Sequence, residues 1–506
     1  MRRRDFLQLA SLALAPRSQA PAVITADRTR PIIDAGVAAG LRGGDAIVWS
    51  HTDRPAQLIV EYATTPSFTN SRRSKGTIAT ADTGFTARAL LGGLPGGQDV
   101  FYRAWFEAGR AKSAPESGHL RTAPLAGTPV RIAWSADVCG QGWGIDPSRG
   151  GMQMFKTMAE ANPDLFIHLG DTIYADNPLA ERVTLDDGTL WKNIVTPAKA
   201  KVAETLEEFR GNHLYNRLDT HYRRFAAEVA QVVMWDDHEV RNNWFPTEIL
   251  DDDRYTEKRM AVLSARARQS FLEHYPVTMD RRADALIYRT IPFGPLVEVF
   301  ALDMRTYRGP NNENLQTTES ADTAFLGNRQ VRWLADALAA STATWKVVAA
   351  DMPLGLVVSH SPGQHEAVAN GDNGAAKGRE LELARLLKTL HERGVTNVVW
   401  ITADVHFCAA HRFDPERAAS KAFDPFWEFV AGPAHAGTFT AGDVDLTFGP
   451  EVRFKGVPPD LAPNRSPADG LQFFGLLDAD PQTKALTVSL VNTAGTRVFE
   501  QRLDAR

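Results

Sequence analysis

The sequence predicts a mixed α/β (α+β) protein in which an all-β N-terminal region precedes a larger region of strands and helices. Between 30 and 125, short alternating runs such as 57–62 and 100–106 are separated by turn residues, a pattern typical of a fibronectin type III or immunoglobulin-like β-sandwich. From 130 to 506, apolar runs alternate with helix-like segments instead. Residues 122–129, rich in Pro, Gly and Ala, are the predicted linker between the two regions.

Composition restricts the class of protein. The chain has 506 residues, of which 43% are hydrophobic and 23% are charged, and its formal net charge is -5. This length predicts roughly two to four domains. The mild negative charge argues against a nucleic acid or an anionic membrane as the main partner. No stretch is long enough to span a bilayer, so we expect no stable membrane insertion.

Residues 1–20 have the layout of a bacterial export signal. Adjacent arginines at 2–4 precede Phe6 and Leu7, a short apolar run at 9–15, and the small-residue site Ser18-Gln19-Ala20. The arginines indicate the twin-arginine export machinery, which carries folded proteins. We therefore expect a mature chain that begins near Pro21 and acts in the periplasm or outside the cell.

The chain has two cysteines, Cys139 and Cys408, which are too few for a disulfide framework. Each lies close in sequence to polar residues. A buried inert thiol, a metal ligand and one disulfide between the two cysteines are all compatible with the sequence.

Acidic residues follow six apolar runs of the second region, at the point where each predicted strand ends. These residues are Asp137, Asp171, the pair Asp236 and Asp237 before His238, Asp303, Asp351, and Asp404 before His406. Open α/β sheets hold ligands at the carboxyl ends of their strands, so we expect these side chains to lie together. Crowded carboxylates repel one another unless cations neutralise them, which favours a metal centre. For Asp303 and Asp351, a helix N-cap is an equal alternative.

The ligand types indicate which metals fit. Carboxylates suit hard cations, His suits first-row metals, and a phenolate such as Tyr174 favours a ferric ion. Residues 176–230 form a predicted helical insertion, with helices over 198–209 and 219–229, that could cover this centre. Residues 360–378 are a predicted loop near the same edge, and 471–477, 486–491 and 497–501 are predicted closing strands.

The strand-end motifs resemble those of the PhoD-like alkaline phosphatase and phosphodiesterase family, within the calcineurin-like metallophosphoesterase superfamily. The matching pieces are Gly170-Asp171-Thr172-Ile173-Tyr174, Trp235-Asp236-Asp237-His238-Glu239-Val240 with Asn242-Asn243-Trp244, Leu302-Asp303-Met304-Arg305, and Thr402-Ala403-Asp404-Val405-His406. The resemblance implies that 130–506 is a four-layer αββα metallophosphatase domain and that 30–125 is the family's N-terminal β-sandwich.

The resemblance also implies two or more metal ions, Fe(III) plus Ca(II), with Zn, Mn or Fe as alternatives. Asp171 would bridge two ions, Tyr174, Asp137 and His406 would bind iron, and Asp237 and Asp404, with Asp351 as a further candidate, would hold the second metal. Family members usually carry a Ser-Cys-Gln turn with the Cys on iron. Here the turn is Asp137-Val138-Cys139-Gly140-Gln141, so either Asp137 or Cys139 could be the ligand, and we favour Asp137 because it ends the apolar run.

The expected function is hydrolysis of small phosphate monoesters or diesters by a metal-activated hydroxide. By the same resemblance, His238 would stabilise phosphate charge or protonate the leaving oxygen. Arg241 and Arg305 are candidate phosphate contacts, with structural salt bridges as the alternative. A non-catalytic periplasmic protein that binds metal or phosphate on the same fold is the alternative function. The sequence carries no signal for an oligomeric state.

Overall fold

The computed structural model describes residues 30–277 and 286–506, so the predicted export signal lies outside the described residues. The N-terminal region consists of strands, of which 99–108 alternates in burial, whereas 33–42 and 45–52 are buried along most of their length. In chain order they are β1 (Ile33–Arg42), β2 (Asp45–Thr52), β3 (Ala56–Ala63), β4 (Arg72–Ala79), β5 (Thr86–Leu91), β6 (Asp99–Ala108), β7 (Ala111–Lys112) and β8 (Glu116–Arg121).

The second region alternates strands with helices, as the sequence predicts. Its first half contains β9 (Val130–Ser135), α1 (Gln153–Glu160), β10 (Leu165–His168), β11 (Arg182–Thr184), β12 (Leu190–Lys192), α2 (Leu206–Asn216), α3 (Thr220–Glu228), β13 (Ala230–Val233) and α4 (Met260–His274). Its second half contains β14 (Arg289–Phe293), β15 (Val297–Ala301), α5 (Gly327–Ala340), β16 (Trp345–Ala349), β17 (Ser359–Ser361), β18 (Gln364–His365), α6 (Glu380–Glu392), β19 (Val398–Thr402), β20 (Ala409–Phe413), β21 (Phe426–Val430), β22 (Pro450–Lys455), β23 (Phe473–Ala479), β24 (Leu486–Asn492) and β25 (Arg497–Leu503).

Two large mixed sheets form the centre of the molecule. The first has the order β25-β24-β23-β9-β10-β13-β1-β2-β5, and the second has the order β14-β15-β16-β19-β21-β20-β22. Strands β9, β10 and β13 run parallel in the first sheet, and β15, β16, β19 and β21 run parallel in the second. The carboxyl ends of these parallel strands supply the six acidic segments of the sequence.

Alternation along the central strands explains the layering. In β9, Ile132 and Trp134 share one hydrophobic core with Val347 of the second sheet. Phe166 of β10 faces the other way and packs in a second cluster with helix residues such as Phe225. Because α5 and α6 contribute leucines to the core that contains the second sheet, the order is helix, sheet, sheet, helix. This is the predicted four-layer αββα arrangement.

The N-terminal strands divide between two sheets, which the sequence patterns did not indicate. Strands β4, β3, β6, β7 and β8 form a separate sheet, whereas β1, β2 and β5 extend the first large sheet beyond β13. Strand β1 pairs in parallel with β13 at Gly40 and Gln231. Side chains also cross the boundary, since Trp49 Nε1 donates to the Glu273 carbonyl at 2.8 Å.

The insertion at 176–230 is only partly helical. Strands β11 and β12 form a hairpin at its start, and α2 begins at Leu206, so the predicted helix over 198–209 is wrong in its first turns. The late start has a local cause, because Thr205 and Glu208 form a capping box that fixes the helix N-terminus. Strands β23 to β25 occupy the predicted closing positions. Within 30–277 and 286–506, no helix has both the length and the apolar character needed to cross a bilayer.

Candidate metal centre

The loops after β9, β10 and β19 bring their polar residues together through unusual backbone conformations. Asp137, Asp171, Asp404 and His406 have φ values of 62°, 49°, 64° and 60°. Positive φ is uncommon for residues other than Gly and persists where the surrounding structure fixes it, often at functional sites. Each residue turns sharply away from its strand, so its side chain reaches the space beyond the sheet edge.

Among the described residues, three groups could each hold a cation, and all their members are buried except the half-buried Asp404. Asp137, Asp171 and His406 offer ligand atoms within 4.8 Å of one another, and so do Asp171, Asp237 and His238. The third group contains Asp236, Asp237 and Asp404. Asp171 belongs to the first two groups, which is the position a bridging ligand requires.

The carboxylates of this centre fit bound metal ions because the protein leaves them unpaired. Within the described part of the chain, both oxygens of Asp137, Oδ2 of Asp171 and Oδ1 of Asp237 are buried without a hydrogen-bond partner. Burial raises the pKa of Asp137 and of Asp171 well above the ordinary range. An unpaired buried carboxylate costs several kcal/mol, which cations between these oxygens would offset. Carboxylate oxygens with one imidazole are a donor set suited to first-row metals and calcium.

Tyr174 and His406 face each other at this centre. The Tyr174 hydroxyl lies 2.8 Å from His406 Nε2, and His406 Nδ1 donates to the Gly437 carbonyl at 2.5 Å. Burial lowers the pKa of His406 to about 4, so its imidazole is neutral and can act as a ligand. Burial, and then the carboxylates of Asp171 and Asp137, raise the pKa of Tyr174. A bound cation beside the phenol would reverse that effect.

Cys139 lies away from the three ligand groups. Its side chain packs in an apolar cluster with Ile145 and Met154, and burial raises the pKa of its thiol. Asp137, in contrast, offers a carboxylate oxygen within 4.8 Å of ligand atoms of Asp171 and His406. Its Oδ2 lies so close to Gly432 that a Cβ at that position would clash with it. Cys139 and Cys408 are both free and buried, so no disulfide joins them.

His238 is held by carboxylates on both sides of its ring. Nδ1 lies 2.7 Å from Asp176 Oδ1, Nε2 lies 3.9 Å from Asp237 Oδ1, and the backbone N–H donates to Asp171 Oδ1 at 3.1 Å. The ring stacks on Tyr174 with centroids 4.1 Å apart. Burial alone would lower the pKa of His238, but Asp176, Asp237 and Asp171 raise it well above the ordinary value. The imidazole is therefore positioned to carry a proton.

The two arginines that are predicted phosphate contacts both form salt bridges within the protein. Arg305 is fully buried, and its Nε donates to Asp236 Oδ1 at 2.6 Å and to Asp351 Oδ2 at 3.3 Å. Its Nη1 contacts Glu366, and its Nη2 lies 3.6 Å from Asp404 Oδ1. Arg241 pairs with Glu248 at 3.1 Å. The guanidinium groups thus form the salt bridges that were the alternative for both residues.

Three described residues lie around the centre in supporting positions, and the sequence predicted a role for only one of them, Asp351, as a candidate ligand. Glu239 accepts hydrogen bonds from the backbone N–H and hydroxyl of Thr172, both at 2.6 Å, and from the Asp236 N–H at 2.8 Å, which ties the loop after β10 to the loop after β13. Asp351 contacts Arg305 and lies outside the three ligand groups. Asp176 lies in the predicted insertion. Its position five residues after Asp171 of the Gly-Asp motif is the sequence signal that could have identified it as a partner of His238.

A cavity of about 390 Å³ opens onto the centre. Its polar wall contains Asp171, His238, Asp404 and His406, and its apolar wall includes Phe439. The complete lining is Gln141, Asp171, His238, Asn242, Asn243, Leu356, Val357, Val358, Ser359, Glu366, Asp404, Val405, His406, Phe407, Phe439, Thr440 and Gly442. None of these described lining residues is Lys or Arg. A small molecule in this cavity would contact the candidate ligands and His238 together.

Known proteins are similar to this chain in sequence and in fold. Alkaline phosphatase D of Bacillus subtilis (strain 168) is 29% identical over 353 residues, which are 67% of this chain and 56% of that protein, so the match spans little more than half of the relative's length. The structure of PhoD aligns over 94% of this chain and 92% of its own, with a TM-score of 0.69 and 20% identity. The purple acid phosphatase PPD1 from yellow lupin (Lupinus luteus) seeds covers 94% and 74%, with a TM-score of 0.56 and 12% identity.

The family profiles match nearly the whole described chain. Residues 18–124 match the N-terminal domain of PhoD-like phosphatases, and residues 132–490 match the PhoD-like phosphatase domain itself. Since the second match alone covers more than half of the chain and contains every candidate ligand, the protein belongs to the PhoD-like phosphatase family.

Proposed function

We propose that the protein is a metal-dependent phosphoesterase, secreted or periplasmic, that hydrolyses small phosphate monoesters or diesters. The observation that carries the proposal is the set of unpaired buried carboxylate oxygens on Asp137, Asp171 and Asp237, which lie together beside a cavity lined by Asp171 and His238. Membership of the PhoD-like phosphatase family supports the same reaction class.

The candidate ligands divide into two types. Asp137, Tyr174 and His406 would hold one ion, for which a phenolate favours Fe(III), whereas Asp237 and Asp404 supply oxygen for a harder ion such as Ca(II). Asp171 would serve both ions. When bound, such ions lower the pKa of water and neutralise charge on phosphoryl oxygens.

The residues of the chain supply orientation and a proton. Asp176 accepts from His238 Nδ1, which leaves the proton on Nε2 available to a group in the cavity. From this position His238 protonates the leaving oxygen of the ester, and its positive charge attracts the phosphate. The Asp171 carboxylate fixes the His238 backbone, so the ligand and the proton donor keep a constant separation.

Replacement of Asp171 tests this function. We expect Asp171→Asn to lower hydrolysis of p-nitrophenyl phosphate and of bis(p-nitrophenyl) phosphate by more than about 100-fold, with metal ions added back. Asp478→Asn is the control, because Asp478 pairs with Arg131 at the opposite end of β9. Near-normal hydrolysis by Asp171→Asn would refute the proposal. Binding of phosphate without turnover of either ester by the unmodified protein would instead favour the alternative of a binding protein.

The metal assignment has its own test. Elemental analysis of protein from its native export route, with a visible spectrum, should show iron and a violet colour from tyrosinate-to-iron charge transfer that Tyr174→Phe removes. Colourless protein that holds zinc or manganese alone would overturn the iron assignment. Such protein would still be a candidate phosphoesterase.

Export is tested at the N-terminus. Replacement of Arg3 and Arg4 by Lys should block twin-arginine transport and leave the full-length precursor in the cytoplasm. Mass spectrometry of the exported protein should show a start near Pro21. Normal export of the Lys variant would refute this route.

A further inference from the structure

Two adjacent asparagines line the cavity beside His238. Asn243 is 8% exposed and Asn242 is more exposed, and both belong to the wall that also contains Asp171. In the described part of the chain, neither side-chain amide forms a hydrogen bond with another protein group. Asn242 is exposed, whereas Asn243 is buried, and a buried amide normally has a hydrogen-bond partner. Both amides are therefore available to a ligand in the cavity.

Hydrogen bonds fix the backbone of these two asparagines. The Asn242 N–H donates to Asp176 Oδ2 at 3.0 Å, and the Asn243 N–H donates to Asp237 Oδ2 at 2.5 Å. The Asn243 carbonyl accepts from Asn311 Nδ2 at 2.7 Å. Asn243 has a φ of 58°, a conformation that Asn tolerates better than most residues. The carboxylates that orient His238 and offer ligand oxygens therefore also fix the two asparagines.

The described lining of the cavity offers phosphate few charged donors besides His238. Arg241 and Arg305 are engaged with Glu248 and with buried carboxylates, and no described residue of the lining is Lys or Arg. A phosphoryl group presents several acceptor oxygens, and the ions would occupy only some of them. A side-chain amide offers two N–H donors, which suit the oxygens that remain.

We propose that Asn242 and Asn243 hold the phosphoryl group by donating hydrogen bonds from Nδ2 to its non-bridging oxygens. The inference rests on the proposed phosphoesterase function and adds two residues that contact the substrate. It separates their role from that of the ligands, because loss of an amide should weaken phosphate binding and leave the metals in place.

The test uses variants that respect the backbone. Asn243→Gly removes the amide while keeping access to positive φ, and Asn242→Ala removes its neighbour. We expect each variant to lower kcat/KM for p-nitrophenyl phosphate at least about tenfold and to raise the inhibition constant of inorganic phosphate about three- to tenfold. Metal content, measured by elemental analysis, should stay unchanged. Asn70→Gly is the matched control, because Asn70 has a φ of 55° in an exposed turn of the N-terminal region.

A second variant at the same position distinguishes loss of the hydrogen-bond donor from misfolding. Asn243→Asp keeps the shape and the φ preference but replaces the donor by a carboxylate that repels phosphate, so phosphate affinity should fall further while the metal content stays the same. Loss of metal in any of these variants, or unchanged phosphate affinity with full metal content, would overturn the inference. If the unmodified protein hydrolyses neither ester, the proposed function fails, and calorimetric titration with inorganic phosphate still decides whether the amides bind it.

Discussion

His238 depends on a neighbour that the family motif does not contain. Asp176 lies 2.7 Å from its Nδ1, on the side of the ring away from Asp237, and Asp176 Oδ2 also accepts the Asn242 N–H. Such a carboxylate fixes both the tautomer and the direction of an imidazole. In the proposed reaction, proton transfer by His238 would therefore depend on a carboxylate of the insertion that follows the Gly-Asp motif.

Removal of this carboxylate should change the pH dependence of the reaction. Burial lowers the pKa of His238, and Asp176 contributes the largest opposing effect, which raises it. Without that charge the imidazolium loses its proton at lower pH, so the alkaline limb of the kcat profile should move to lower pH in Asp176→Asn. We expect kcat at the optimum to fall about 10- to 100-fold, measured by pH-rate profiles with a saturating chromogenic ester.

Asp186→Asn provides the comparison for this experiment, because Asp186 is an exposed residue of the same insertion that pairs with Arg465. Its profile should match that of the unmodified protein. An Asp176→Asn profile with an unmoved alkaline limb would show that another group donates the proton.

Arg305 acts as an internal counter-ion for the carboxylates behind the metal centre. It contacts Asp236, Asp351 and Glu366 and has no solvent exposure. Removal of one partner of a buried ion pair leaves an uncompensated charge, which typically costs about 3 to 5 kcal/mol. The arginine therefore contributes to the stability of the edge rather than to the cavity wall.

We expect Arg305→Met to lower the free energy of unfolding by about 3 to 5 kcal/mol, measured by chemical denaturation of metal-free protein. Arg385→Met is the matched comparison, because Arg385 pairs with Glu319 at the surface and should cost less than about 1 kcal/mol. Equal losses in both variants would contradict the role of Arg305.

Residues at strand ends could be predicted from sequence, whereas their partners could not. Asp171, Asp237 and His406 follow apolar runs, and the parallel strands of the two large sheets bring such positions to one edge. The burial of Arg305 depends on Glu366, which lies 61 residues away in a segment predicted only as a loop. Likewise, the sequence cannot tell whether Cys139 or Asp137 turns inward, because positive φ at both residues decides it.

At the scale of elements, helix α2 shows how a local motif fixes a boundary. Its capping box places Glu208 where it accepts from the Glu204 and Thr205 N–H groups at 2.8 and 2.9 Å. The apolar spacing predicted an earlier start because periodicity does not detect caps. The sheet to which β1 belongs could likewise not be predicted from local sequence, because its partner β13 lies about 190 residues later in the chain.

This cap should give a pH-dependent contribution to stability. Burial raises the pKa of Glu208, but Lys201 and the Thr205 and Glu204 N–H groups lower it overall from 4.5 to about 2. A lowered pKa means that the carboxylate stabilises the folded state above pH 4.5 and loses this effect as the pH falls towards 2. Glu208→Ala should cost about 1 kcal/mol at pH 7 and progressively less below pH 4.5, measured by denaturation at several pH values.

Glu160→Ala, at the exposed end of α1, controls for the loss of a surface charge. Its cost should be small. A Glu208→Ala deficit that is constant from pH 7 to pH 3 would refute the assignment of the stabilisation to the ionised cap.

At the scale of the whole molecule, one core links the N-terminal strands to the metal-bearing sheets. Leu58 and Phe106 belong to the same hydrophobic cluster as Trp134 and Val347. The Tyr102 hydroxyl also donates to the Ala227 carbonyl at 2.8 Å. A boundary near 125 therefore separates sequence patterns but does not separate two cores.

A shared core predicts a single unfolding event. Differential scanning calorimetry of the mature chain should show one transition, and near-ultraviolet circular dichroism should follow the same midpoint as loss of hydrolysis. A chain truncated to 130–506 should not fold stably, because β13 would expose an unpaired edge where β1 lies. Two separate transitions, or a stable truncated chain, would show independent domains.

Strand β9 lies between β10 and β23, and β23 begins at Phe473, near the end of the chain. A nascent polypeptide therefore cannot complete the sheet that carries Asp137 until β23 to β25 have left the ribosome. Pairing over such sequence distances is slow and leaves apolar strands exposed meanwhile. The geometry thus sets an order of biogenesis in which residues up to 479 are synthesised before β9 gains its second neighbour.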